Sequence, residues 1–116
     1  AENRFRKNLY QHLKAKGCIV EKVSPADAIE TLTTIADIDV ILLGVDGLGR
    51  KGLDLIPPIQ RISPKTEIIT INDPDQMNLS IEGMKMGAFD DFMVPLDIDA
   101  LAARIKEAKR RRDGSL

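Results

Sequence analysis

Two residue types that often carry chemistry are nearly missing from this 116-residue sequence, which has one cysteine, Cys18, and one histidine, His12. A disulfide within the chain is therefore excluded, and a histidine-based metal site or catalytic triad is not expected. Because Cys18 opens an apolar stretch, we expect a buried, inert thiol, which fits a reducing, cytoplasmic setting.

Net charge and long apolar runs are also lacking. The chain has 17 basic and 18 acidic residues, a net charge of −1, so no global excess points to nucleic acid or to a membrane surface. No apolar run reaches the roughly 20 residues of a membrane-spanning helix. The length suits one domain with one core, which we place at residues 1–112, with 113–116 as the start of a linker or tail.

Predicted strands and helices alternate along the chain. Short apolar runs between turn residues predict strands, and apolar residues at helical spacing predict helices. The predicted strands are Cys18–Val23, 39–43, Thr66–Ile71 and Asp91–Val94. The predicted helices are Arg4–Lys16, 25–34 with Ser24 as its cap, Gly52–Ile62, Gln76–Met86 and a last one that starts at Asp97 or Asp99, runs through Ile105 and ends in KRRRDGSL. Strict alternation implies an α/β fold with a doubly wound parallel sheet and helices on both faces.

Open parallel sheets bind ligands outside the carboxyl ends of their strands, and these ends are chemically poor here. The only carboxylates there belong to Asp46, Asp73 and Asp75, each in a turn, where aspartate commonly forms local hydrogen bonds. A G-x-G-x-x-G spacing at Gly47, Gly49 and Gly52 keeps a small nucleotide- or phosphate-binding protein as an alternative. No acidic residue ends a following strand at the distance that this fingerprint requires.

Three stretches resemble the receiver domain of bacterial two-component response regulators. EGMKMGAFDDFMVPLDIDALAARIKEA, residues 82–108, is similar to the family's fourth helix, fifth strand and fifth helix; DVILLGVDGLGRKGLDLI resembles the third strand with its loop and helix, and FRKNLYQHLKAKG the first helix. The resemblance implies a flavodoxin-like sheet of strand order 2-1-3-4-5. The family's first strand is absent from the sequence, so we expect residues before Ala1 in the natural protein, or a partner's strand, to complete the sheet.

The resemblance also places the family's working residues. Receivers accept a phosphoryl group on an aspartate that ends the third strand, and the matching residue is Gly44. The hydroxyl residue that holds the phosphoryl oxygens matches Asn72, and the lysine before the proline matches Val94. An aromatic side chain that changes rotamer matches Asp91. Pro95 matches the family's proline, and we expect a cis peptide bond before it.

These departures predict a degenerate receiver, or pseudo-receiver. Phosphoryl transfer needs an attacking oxygen, a metal ion and donors for the phosphoryl oxygens, and the matching positions supply none. Receivers bind Mg²⁺ through an acidic pair after the first strand, of which Glu2 is the only trace. The resemblance thus implies a non-enzymatic signalling module that acts by protein–protein contacts, with no cofactor and no metal.

Asp46 provides the alternative. It lies two residues beyond Gly44, so strand parity would point it to the same side, and it would then be a shifted phosphoacceptor in a receiver that controls an attached effector domain. Its place before Gly47 favours a simple turn residue.

We expect contacts with a partner protein, or with a second copy, through residues Gln76 to Arg112, and no direct contact with nucleic acid or membrane. The predicted surface residues are Met77, Met86, Asp91 and Arg104, whereas Ile81 and Met84 are expected to pack in the core. The basic run Lys109–Arg112 favours a helix C-terminus electrostatically, and a functional basic patch is the alternative.

Overall fold

A computed structural model describes residues 2–20, 23–35, 37–44 and 50–114. Three parallel strands, β1 (Val40–Gly44), β2 (Glu67–Asn72) and β3 (Asp90–Met93), form a sheet in the order β1-β2-β3. The helices are α1 (Glu2–Ala15), α2 (Ala28–Thr34), α3 (Arg50–Leu53), α4 (Ile56–Ile62), α5 (Met77–Lys85) and α6 (Ile98–Arg112). Short 3-10 turns, Pro25–Asp27 and Pro74–Gln76, lead into α2 and α5.

The predicted parallel sheet is confirmed, and from α2 onward strands and helices alternate as expected. Most of these element ends lie within about two residues of those expected, the usual uncertainty of helix boundaries, but residues 25–27, predicted as the first turn of a helix, form a 3-10 turn before α2. Asp97 begins α6, because its Oδ1 accepts a hydrogen bond from the Ala100 amide at 3.1 Å. The peptide bond between Val94 and Pro95 is cis, as expected. The order β1-β2-β3 is compatible with the last three strands of the order 2-1-3-4-5.

The predicted strand Cys18–Val23 is wrong for those of its residues that the structure describes. Residues 18–20 and Val23 form no strand, Cys18 is only half-buried, and Ile19 is fully exposed. A β-strand needs a neighbour for its backbone groups, and the described residues place no strand beside this segment. An apolar, β-branched run is therefore not sufficient to form a strand here.

The predicted helix Gly52–Ile62 is divided into α3 and α4. The first of these helices, α3, ends at Leu53, and α4 begins at Ile56 with Pro57 in its first turn. Proline is accepted there because the first amides of a helix have no partner within the helix, whereas an interior proline removes a hydrogen bond.

The core lies on both sides of β2, whose residues after Glu67 are all buried. On one side, the sheet packs against α2, α4 and α5 through an apolar cluster of Leu32, Leu43, Leu53, Ile56, Ile59, Ile68 and Leu79. On the other side, α6 packs on β1 and β2 with buried Leu101, Ala102 and Ala108, and α1 packs on α6. No helix within the described residues is long and apolar enough to cross a bilayer.

The turn after α5 requires glycine for two reasons. Gly87 has a φ of +108°, a region that side chains with a Cβ rarely adopt. A Cβ added there would lie 2.5 Å from Gln60 Nε2, which donates a hydrogen bond to the Met86 carbonyl at 3.0 Å. Gly17 after α1 has a similar φ of +94°, but a Cβ there would meet nothing within 4 Å.

We expect Gly87→Ala to lower the free energy of unfolding by about 2–3 kcal/mol, from the positive φ and the displaced Gln60 hydrogen bond. Gly17→Ala is the matched control and should lower the free energy of unfolding by only about 1 kcal/mol, because the positive φ is the one feature that disfavours a Cβ there. Urea denaturation of both variants measures the difference. Equal losses in the two variants would show that the contact with Gln60 has no effect.

Candidate functional site

The structure brings three predicted positions together at the carboxyl edge of the sheet. Gly44 is the last residue of β1 and lies opposite Ile71, next to the final residue of β2, Asn72. The Val94 amide donates a hydrogen bond to the Asn72 carbonyl at 3.0 Å. Residues that are 22 to 50 positions apart in sequence therefore form one edge, as their positions after parallel strands predict.

The side chains at this edge offer little for group transfer. Gly44 has no side chain, and Val94 is aliphatic. Asn72 is only 1% exposed, and its Nδ2 donates a hydrogen bond to Asp91 Oδ1, away from the edge. Its Oδ1 is buried and has no hydrogen-bond partner among the described residues. These three positions therefore present no carboxylate, hydroxyl or ammonium group.

The described residues at this edge do not fit a Mg²⁺ site. Mg²⁺ prefers carboxylate oxygens in octahedral geometry, yet no three residues of the described chain, counting Asp, Glu, His and Cys, lie close enough to hold a metal. Asp73 is half-buried and Asp75 is exposed. Asp46, with Gly47 and Gly49 of the glycine-rich spacing, lies outside the described residues, and so does the Glu2 side chain.

Val94 also forms part of an apolar groove between α1 and the segment after β3. The groove has a volume of about 240 Å³ and is lined by Asn8, Leu9, His12, Val94, Pro95, Leu96 and Ile98. The single histidine lies at this wall, and its Nδ1 is 2.7 Å from the Asn8 carbonyl one helical turn earlier. An aliphatic residue at position 94 is thus part of an apolar lining, which a lysine would interrupt.

Asp91 lies at the centre of a buried polar cluster rather than on an exposed surface. Its Oδ1 accepts hydrogen bonds from Thr70 Oγ1 at 2.5 Å and from Asn72 Nδ2, and its Oδ2 accepts one from Ser80 Oγ at 2.6 Å. Thr70, Asn72 and Ser80 are buried. The carboxylate thus joins β2, β3 and α5, and we refer to these four residues as the Asp91 cluster.

The expected orientation of α5 is wrong in part. Ile81 and Met84, expected in the core, are 52% and 44% exposed, and Met77 is 53% exposed. These three residues at positions i, i+4 and i+7 form one apolar stripe on the outer face of the helix. Met86, expected to lie outward, is half-buried and packs against the apolar cluster.

Ser80 and Gly83 explain this orientation and are a sequence signal that apolar periodicity alone does not contain. Both are small, they are three residues apart, and both face the sheet. A Cβ on Gly83 would lie 3.4 Å from Thr70 Cγ2, so the helix approaches the sheet closely at this point. The small residues at helical spacing, with the buried Leu79 beside them, therefore mark the inner face of α5.

Arg104 holds α6 against β3. Its Nε donates a hydrogen bond to Asp90 Oδ2 at 2.7 Å, and its guanidinium lies 4.4 Å from the centre of the Phe89 ring. The outer face of α6 has a shallow groove of about 530 Å³, lined by Ala100, Ala103, Arg104, Lys106, Glu107 and Arg110.

Each residue of the basic run at the end of α6 has an acidic partner. The pairs are Lys109 with Asp113, Arg110 with Glu107, Arg111 with Glu67, and Arg112 with Asp37, Asp39 and Asp113. Burial opposes the charge of Arg112, but hydrogen bonds to Asp113 and Asp37 outweigh it and raise the pKa of the guanidinium. The hydrogen bond from Lys109 holds the pKa of Asp113 below its usual range. This run therefore fixes the end of α6 to the segment before β1.

Comparison with known proteins is consistent with this architecture. The model of the response regulator receiver domain family matches residues 2–106. Two curated proteins of Pseudomonas aeruginosa are similar: the two-component response regulator PhoP, 31% identical over 95% of this chain and 49% of its own length, and the response regulator protein PmrA, 28% identical over 88% of this chain and 46% of its own length. The chain thus spans about half the length of these relatives.

Solved structures show the same fold. A response regulator receiver domain protein from Clostridium thermocellum superimposes with a TM-score of 0.86 at 22% identity, over 98% of this chain and 92% of its own. A CheY-like receiver domain protein from Methanospirillum hungatei superimposes with a TM-score of 0.84 at 16% identity, over 98% of this chain and 91% of its own.

Proposed function

Because the chain belongs to the response regulator receiver domain family of two-component signalling, we propose that it passes signals by protein–protein contact, without phosphorylation of an aspartate. The observation that carries this proposal is the make-up of the sheet edge. Gly44, Asn72 and Val94 converge there without a nucleophile, a hydroxyl or a cation, and Asn72 is engaged by Asp91. Aspartyl phosphorylation needs all three kinds of group around the phosphoryl.

We also propose that the domain is not an enzyme and needs no cofactor. The described part of the edge supplies no set of ligands for Mg²⁺, the ion that phosphoryl transfer uses to neutralise developing charge. We further propose a cytoplasmic protein in which the domain acts on an attached effector, because the chain matches only about half of its curated relatives, 49% of PhoP and 46% of PmrA. Direct contact with nucleic acid or membrane is not part of the proposed role.

We expect no phosphate-sized mass gain when the protein is incubated with acetyl phosphate and Mg²⁺ and measured by intact-mass spectrometry. Gly44 cannot form an acyl phosphate, since glycine has no side chain. A receiver that labels under the same conditions is the positive control. A gain in the wild type that disappears in Asp46→Ala would contradict the proposal and identify Asp46 as a shifted acceptor.

For the contact surface, we propose the outer faces of α5 and α6 with β3, the last strand of the described sheet, between them. The support is the exposed stripe of Met77, Ile81 and Met84 on α5, together with the charged groove on the outer face of α6. Methionine-rich exposed stripes suit adaptable protein contacts. The α6 groove contains both basic and acidic side chains, Arg110 and Glu107 among them, so a second copy of this surface could pair with it.

We expect Ile81→Glu to weaken self-association by about tenfold or more, because it places a charge in the middle of the apolar stripe. Sedimentation velocity over a concentration series measures the effect. Ile19→Glu is the matched control, since Ile19 is also an exposed isoleucine but lies outside this surface. An equal loss in both variants, or a wild type that stays monomeric at its highest soluble concentration, would contradict pairing of two copies.

A further inference from the structure

Two adjacent carboxylates of β3 hold the two helices of the proposed surface. Neighbouring residues of a strand point to opposite faces of the sheet. Asp90 accepts a hydrogen bond from Arg104 of α6 at 2.7 Å, and Asp91 accepts one from Ser80 of α5 at 2.6 Å. Each helix is therefore attached to the edge strand by a carboxylate of its own.

The two attachments differ in their surroundings. The Asp90–Arg104 pair is partly exposed, with side-chain exposures of 32% and 38%. In the Asp91 cluster, by contrast, all three donors are buried, and Thr70 is 0% exposed. Hydrogen bonds to an ionised group are stronger than neutral ones, and a buried donor that loses its acceptor is costly. The Asp91 cluster should therefore be much harder to break than the Asp90 pair.

Ser80 sets the rotation of α5 about its own axis. Successive helical residues are about 100° apart around the axis, so a residue held at the sheet determines which residues face outward. With Ser80 hydrogen-bonded to Asp91 on the inner side, Met77, Ile81 and Met84 face solvent. A rotation that buried Ile81 would break the Ser80 hydrogen bond.

Asn72 extends the same cluster to the sheet edge. Its Nδ2 donates to Asp91, while its backbone carbonyl accepts from the Val94 amide. The sheet edge and α5 thus share one half-buried carboxylate with buried donors, at the position where the resemblance implies a mobile aromatic side chain. Both oxygens of this carboxylate are engaged by buried donors, so moving it would break three hydrogen bonds.

We propose that Asp91 is a positioning residue that locks α5 in a single orientation, so that the contact surface is preformed and α5 is held independently of α6. The inference rests on the proposed function for the meaning of the surface, but the lock itself is a property of the free protein. Asp91 thus keeps the stripe of α5 exposed constitutively, rather than only after a signal.

Hydrogen–deuterium exchange of the free protein tests the lock, with Ser80→Ala and Asp91→Asn as the main variants. Both variants should accelerate exchange of the α5 amides by about tenfold or more, because each loses one hydrogen bond to a charged group. Exchange of the α6 amides should be unchanged. The methyl signals of Met77 and Met84 should shift in the NMR spectra of the same two variants. Asp90→Asn is the matched control and should affect α6 rather than α5.

Two results would overturn the lock. One is unchanged α5 exchange in Ser80→Ala; the other is equal acceleration in α5 and α6, which would mean that Asp91 stabilises only the domain as a whole. Ser80→Ala carries the test alone if Asp91→Asn does not fold, because Asp91 keeps its hydrogen bonds from Thr70 and Asn72. The exchange experiment uses neither a phosphodonor nor a partner. A negative result in it is therefore distinct from a negative result in the labelling or sedimentation experiments.

Discussion

Replacing Asp91 with alanine is expected to lower the free energy of unfolding by about 4 kcal/mol, because a buried donor without an acceptor costs about 1–3 kcal/mol and more than one is left. The three donors of the cluster lie on β2 and α5, where water has little access. Urea denaturation followed by circular dichroism measures the loss.

Asp90→Ala is the matched control for this prediction. It removes the same charge from the neighbouring residue, but its partner Arg104 is partly exposed, and such pairs contribute at most about 1 kcal/mol. The other oxygen of Asp90 accepts from the Asp91 amide at 2.7 Å, so the expected loss is about 1–2 kcal/mol in total. A loss for Asp91→Ala as small as that for Asp90→Ala would mean that water replaces the missing carboxylate. The Asp91 cluster would then have little part in stability.

The second large effect is expected for Leu53→Ala, which should lower the free energy of unfolding by about 3–4 kcal/mol. Leu53 is 0% exposed and belongs to the apolar cluster between the sheet and the helices. Shortening its isobutyl side chain to a methyl group leaves a cavity, because the elements around it are also held by other contacts. Chemical denaturation gives the value, and Ile19→Ala, at an exposed position, should have little effect.

Gly83 offers a specific test of that cavity. A Cβ on Gly83 would lie 3.4 Å from Leu53 Cδ2, a tight contact in the wild type. In Leu53→Ala this contact is gone, and alanine is about 1 kcal/mol better than glycine inside a helix. The double variant should therefore recover about 1 kcal/mol of the loss, more than Gly83→Ala gains alone. Strict additivity would show that the two sites do not share space.

Local patterns were sufficient for most of the architecture. Continuous apolar runs marked β1 and β2, and Asp97 marked the start of α6 because an aspartate side chain can accept from a free helix amide. Alternation of strands and helices predicted the parallel sheet. The convergence of Gly44, Asn72 and Val94 also followed from sequence, since parallel strands end at one edge.

The orientation of α5 could not be predicted from the sequence, because apolar residues occur on several of its faces. Periodicity alone placed Ile81 and Met84 inward and Met86 outward, and the structure reverses all three. What decides the orientation is a contact with distant residues: Ser80 bonds to Asp91, and Gly83 allows the close approach to Thr70. The role of Asp91 could not be predicted for the same reason, since its donors lie 11 to 21 residues away.

The sequence by itself determined which elements form and which chemical groups reach the sheet edge, because both depend on residue type and on short-range spacing. Only the tertiary structure decided which strands find neighbours and how each helix is rotated. Residues 18–20 show the first point, since they form no strand, although Ile19 and Val20 are β-branched, and the described residues place no strand beside them. The Asp91 cluster shows the second, since a carboxylate takes its role from the buried donors that the fold assembles around it.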